Sequence, residues 1–245
     1  MRFFFRNFSG VLLLFLFTTQ AHPQLPPSEK PMYGSTTGKP RKLSEKDQAF
    51  IASIEKAGKT RQAVAKDVIA QAWEAYGRTD YKSAIRKFNQ AWLLDPENGD
   101  AYHGFALIST VRDKNADEAE KFFKMAIEKP GVSASAYVSY GRFLWIVERL
   151  DDALAQLHKA LAVSPTARDA RIHIARIYYK KKDFTKACEW ARAAKANYDD
   201  MPPDFLEDMC KKGGTASGAA PARSDLAKDR PVTAAIRSNR KKRVT

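Results

Sequence analysis

Cysteine is nearly missing: 245 residues hold only Cys188 and Cys210, too few for a disulfide-scaffolded mini-protein or a four-cysteine zinc site. Histidine is almost as scarce. The four present, His22, His103, His158 and His173, include no pair at i, i+4 and no His-Glu-x-x-His pattern. There is no Cys-x-x-Cys, no Gly-x-Gly-x-x-Gly and no Gly-x-x-x-x-Gly-Lys-Ser/Thr phosphate loop. Twelve Gly and twelve Pro exclude a collagen-like repeat. Beyond residue 21 no run reaches the ~20 apolar residues of a membrane-spanning helix. The nearest acidic pair, Asp151-Asp152, is explained by favourable charge at a helix start. No residue pattern therefore requires catalysis, a metal or a cofactor. The expected protein is not an enzyme; an enzyme accessory or weak hydrolase is the competing class.

What is present is basic charge, unevenly placed. The formal charge is +14, yet residues 211–245 carry ten basic side chains against Asp225 and Asp229. The excess belongs mainly to a tail. Its Gly/Ala/Ser-rich start and RSNRKKRV end have no apolar periodicity, so residues 213–245 read as disordered. Such a tail reads first as solvated and without function; weak, salt-sensitive contact with anionic envelope polymers or lipid headgroups is the next reading. With no aromatic residue to stack on bases, it gives no reason to expect nucleic-acid binding.

The other end reads as an address. Arg2 and Arg6 precede the apolar run Val11–Phe17, and Thr19-Gln20-Ala21 offers small residues at a cleavage site. Residues 1–21 thus read as a signal peptide, too short in its apolar part to anchor comfortably. Export to a periplasm or the exterior is expected. Residues 22–44, with five Pro and two Gly, read as a solvated linker. An N-terminal helix is expected within 45–64, capped by Ser44 and stopping near Gly58.

The middle repeats. Ala84, Ala119, Ala153 and Ala187 recur at steps of 35, 34 and 34 residues, and Ala91, Ala126, Ala160 and Ala194 follow each by seven. Upstream, Ala72, Ala106, Gly141 and Ala175 recur at 34, 35 and 34. Small side chains at fixed intervals let paired helices approach closely. Phe88, Phe123 and Leu157 fill the second helices, Tyr102, Phe105, Tyr137, Tyr140 and Ile174 the first, and Pro96 and Pro165 close repeats.

These residues resemble the tetratricopeptide repeat, with DYKSAIRKFNQAWLLDPEN (80–98) close to its consensus. The resemblance implies an all-α right-handed superhelix of four repeats, 65–98, 99–133, 134–167 and 168–201. The second repeat has one extra residue, expected in its turn within 112–118. Residues 202–212, with Phe205, Leu206 and Met209 after Pro202-Pro203, read as a capping helix.

In that family the first helices line a concave groove that takes protein or peptide partners. Carrying its positions over points to Trp73, Tyr76, His103, Leu107, Arg142, Trp145, Arg176, Tyr179 and Lys180. Aromatics beside Arg are favoured at binding hot spots; packing against neighbouring repeats is the plainer role for Trp73, Trp145 and Tyr179. A dicarboxylate clamp of the chaperone-cofactor type lacks its Asn residues, since the corresponding positions hold Ala70, Gly104, Ser139 and His173. Cys188, beside the small Ala187, and Cys210 in the cap are either a disulfide clamping cap to array in an oxidising compartment or two independent thiols.

Overall fold

A computed structural model describes residues 25–35 and 43–212. The expected signal peptide, the basic tail and part of the linker lie outside them. Every described element is helical, and no strand occurs among the described residues. After α1 (Glu45–Lys56) come four helix pairs: α2 (Arg61–Gly77) with α3 (Tyr81–Leu94), α4 (Gly99–Val111) with α5 (Ala116–Glu128), α6 (Ala134–Ile146) with α7 (Leu150–Val163), and α8 (Ala170–Lys180) with α9 (Phe184–Ala196). The seven-residue α10 (Phe205–Lys211) follows and packs on α9.

Helix starts follow from local chemistry. Ser44 and Asp47 form a reciprocal capping box on α1, and the side chains of Thr60, Asp80, Asn115 and Asp183 cap α2, α3, α5 and α9; each satisfies a backbone N–H left over at a helix start. The turns within pairs close alike. Thr79, Lys114, Glu148 and Lys182 all sit at positive φ. One residue later, the N–H groups of Asp80, Asn115, Arg149 and Asp183 reach back to the carbonyls of Ala75, Ser109, Leu144 and Tyr178. This is a Schellman-type closure made without glycine. The turn 112–115 is one residue longer than 78–80, 147–149 and 181–183.

The small-residue seams lie at the pair interfaces. All eleven alanines of the recurring set have no exposed surface. At Gly141 an added Cβ would lie 2.7 Å from the Cγ of Leu157. Between the first two repeats, the Trp92 indole N–H donates to the Tyr102 hydroxyl (2.9 Å), which donates to the Pro96 carbonyl (3.0 Å). The first helices touch one another in series, whereas the second helices meet their neighbours mainly through them. The first helices therefore lie on the inner, concave side.

Gly58, at φ +69, follows the end of α1, and α2 starts at Arg61 under the Thr60 cap, four residues ahead of the repeat start expected at 65. One expectation near the N terminus is corrected. Residues 25–35, expected as solvated linker, instead pack on α3 as two 3-10 turns, Pro27–Glu29 and Pro31–Gly34. The buried Asn89 explains this. Its amide donates to the carbonyls of Ser28 (3.1 Å) and Lys30 (2.8 Å), and its oxygen accepts from the Tyr33 N–H (3.2 Å). Met32 is 1% exposed. Glu29 pairs with Arg86 (2.6 Å) and Lys82 (3.3 Å). Burial alone would raise the Glu29 pKa, but hydrogen bonds and charge from these two cations hold it below the ordinary carboxylate value.

A segment without helical periodicity is thus fixed by one polar side chain. Asn89→Ala removes three hydrogen bonds to it and should cost about 2 kcal/mol, the sum of several bonds each worth about 0.5–1.5. Hydrogen exchange at the Tyr33 amide reads this directly. Unchanged protection there would show that Asn89 does not hold the segment.

Candidate functional site

The concave face is built from α2, α4, α6 and α8, and most of the candidate residues divide between its two ends. On α2, the half-buried Trp73 packs its ring on Phe88 (4.8 Å) and His103 (4.8 Å), with Tyr76 edge-on at 5.9 Å. Tyr76 in turn meets Tyr81 at 5.5 Å. His103, expected on the groove surface, is instead buried beneath Trp73, with neither ring nitrogen hydrogen-bonded. Phe88 occupies the space over Gly104, so the preceding side chain on α4 sinks with it into the aromatic layer. Burial pushes the His103 imidazole down to about 3. Leu107 is half-buried and joins the core.

Arg142 on α6 is exposed and lies between the two ends. Its charge offsets part of the rise that burial and Tyr81 impose on the Tyr76 hydroxyl. It also acts on His173, whose pKa falls to about 4 through burial first, then Arg176 and Arg142. No carboxylate pairs with Arg142 among the described residues.

At the other end Trp145, Arg176, Tyr179 and Lys180 converge with α10 on one recess of about 590 Å³. The Arg176 guanidinium lies over the Phe205 ring at 5.4 Å, and the Lys212 ammonium lies over Tyr179 at 5.2 Å and Phe184 at 5.5 Å. Lys180 is tied to Glu148 at 2.5 Å. Phe205, Met209 and Lys212 were not among the sequence candidates, because α10 reads as a cap and nothing more. The available signal was Cys210: the Cys188–Cys210 disulfide, with Cα atoms 4.5 Å apart, fixes α10 to α9 and so makes it a wall.

Among the described residues no group of three or more His, Cys, Asp or Glu side chains could hold a metal, and no helix is long and apolar enough to cross a membrane. The geometry is that of a surface for binding. The sequence model described as tetratricopeptide repeat matches residues 69–134 and 144–202, just over half of the chain. The chain belongs to the tetratricopeptide-repeat family. No curated protein matches it. Among solved structures it is similar to PilF of Pseudomonas aeruginosa, at 18% identity and a TM-score of 0.55 over 65% of this chain and 80% of that one. It is also similar to PilW, a type IV pilus biogenesis factor, at 16% identity and 0.50 over 69% and 87%. These likenesses show the shared repeat fold.

Repeat proteins of this family are interaction scaffolds, and the inner surface here has the shape for it: a continuous face of first helices with aromatic and cationic side chains presented from rigid elements.

Proposed function

We propose that the protein is an exported adaptor that binds a protein or peptide partner along its concave face. The observation that carries this is Arg142, exposed and unpaired by any described carboxylate, set between the Trp73–Tyr76 cluster and the Trp145–Arg176–Tyr179 recess. A cation so placed meets a partner's carboxylate, while the flanking rings supply apolar contact at low entropy cost. Residues 1–21, with a basic start and a short apolar run, support export, and the Cys188–Cys210 bond suits an oxidising compartment.

Replacing Arg142 and Arg176 together with Ala should weaken capture of partners from envelope extracts about ten-fold or more, equivalent to about 1.4 kcal/mol. Helicity should stay the same, since Arg142 is exposed and Arg176 only stacks on Phe205. A double variant that retains the full set of captured partners would remove the groove from the account.

A further inference from the structure

The recess under α10 gathers four cations, and apart from Lys180, which pairs with Glu148, they lack acidic partners among the described residues. Arg176, Lys182 and Lys212 line it, no Asp or Glu does, and none of the three makes an ion pair among the described residues. Its walls are apolar rings, Trp145, Tyr179 and Phe205 among them. Cations gathered near rings without counter-charge repel one another, and a bound anion relieves that repulsion. A guanidinium stacked on a ring keeps its N–H groups in their own plane, directed outward toward a carboxylate. The tail that follows Lys212 has the same sign of charge as the recess, with ten basic against two acidic residues over 211–245. It is therefore not the natural occupant.

The wall itself is conditional. A helix of seven residues has little stability of its own. The α10 helix is held by Phe205 and Met209, each 7% exposed, and by the bond from Cys210 to Cys188. Without that bond, Phe205, Met209 and Lys212 are tied to the array through the chain 197–204, apolar contact and the cation–ring contacts of Arg176 and Lys212.

Resting on the groove function proposed above and making it more specific, we propose that this recess takes an acidic peptide segment carrying a large apolar side chain. We further infer that the site is complete only while the Cys188–Cys210 bond holds α10 in place. Carboxylates of the segment meet Arg176, Lys182 and Lys212, and its apolar side chain lies on Trp145, Tyr179 and Phe205. Partner binding then requires the oxidised protein.

The test uses the full chain from oxidising expression and a fluorescein-labelled octapeptide with glutamates flanking two central phenylalanines. Comparison probes replace glutamate by glutamine or phenylalanine by alanine; sodium laurate, anionic vesicles and single-stranded RNA compete in separate arms. Both altered probes should bind about ten-fold more weakly, as should the Lys182→Glu/Lys212→Glu variant and the Cys188→Ala/Cys210→Ala variant with the original probe. Lys121→Ala, exposed on α5 and outside both the groove and the recess, should change this binding less than about two-fold, a difference too small to indicate a lost contact.

Equal affinity for the glutamate and glutamine probes overturns the proposal, as does indifference to the Lys182/Lys212 variant. Stronger binding of laurate, vesicles or RNA than of the peptide assigns the recess to another ligand class and overturns it too. If the cysteine variant keeps its helicity and full affinity, the dependence on the bond is wrong. If instead the Arg142/Arg176 variant loses captured partners while the probe ignores Lys182 and Lys212, the groove stands and only the recess assignment falls.

Discussion

Gly104→Ala should destabilise the protein by about 1–2 kcal/mol, although alanine is the better helix former. In the middle of a helix the exchange gains about 1 kcal/mol of propensity. Here the added methyl group would lie 2.3 Å from Cε1 of Phe88 and 2.4 Å from both Cδ1 and Cζ, well inside any carbon–carbon contact. The Phe88 ring cannot retreat. It is fully buried, with Trp73 at 4.8 Å and Phe105 at 6.4 Å. Overpacking of this kind costs about 1–3 kcal/mol and occasionally more, which outweighs the propensity gain when the obstacle is a wedged ring. Thermal unfolding should fall by about 2–8 °C at this size. Gly77→Ala is the matched control: nothing lies within 4 Å of a Cβ there, and a gain of about 0.5 kcal/mol is expected. Equal melting temperatures for Gly104→Ala and the parent would mean that the α3–α4 contact yields far more easily than its geometry allows.

The same contact explains why no clamp asparagine stands at that position. A side chain larger than hydrogen would displace Phe88, and Phe88 is the ring that the second helix of the first repeat contributes to the core. The recurring alanines were legible because the constraint they answer, close approach of paired helices, acts on single positions at a fixed period. The αL turns were not, because Thr79, Glu148 and Lys182 take a conformation usually marked by glycine. Nor was the seat of residues 25–35, which rests on one polar residue in α3 more than fifty positions away. Of the candidate groove residues, Trp145, Arg176, Tyr179 and Lys180 come together in one recess, while His103 lies beneath the surface. Family positions fix which way a residue faces. They do not fix how far a neighbouring tryptophan covers it.

That covering matters because it stores a pH dependence. His103 and His173 are both buried, and unsatisfied ring nitrogens remain on each, both on His103 and Nδ1 on His173. Their folded-state pKa values fall to about 3 and about 4, from burial in both cases and additionally from Arg176 and Arg142 at His173. In the unfolded chain both titrate near the ordinary value of about 6.5. The unfolded state therefore binds more protons across this interval, and stability declines as pH falls below about 6.5, with the full neutral-pH stability present above it. At about pH 4.5 the unfolded form has gained roughly two pH steps on each ring, about 1.4 kcal/mol per step, for a total near 5 kcal/mol. That is a large part of the ~5–15 kcal/mol that holds a domain folded. Denaturant midpoints should fall steadily between about pH 6.5 and 4.5, a range above most carboxylate titration. His103→Leu/His173→Leu, which removes both titrating rings and their unsatisfied nitrogens, should flatten that decline and keep the helices folded to lower pH. Should parent and double variant lose stability along one and the same pH curve, the buried imidazoles are not what limits this fold in acid.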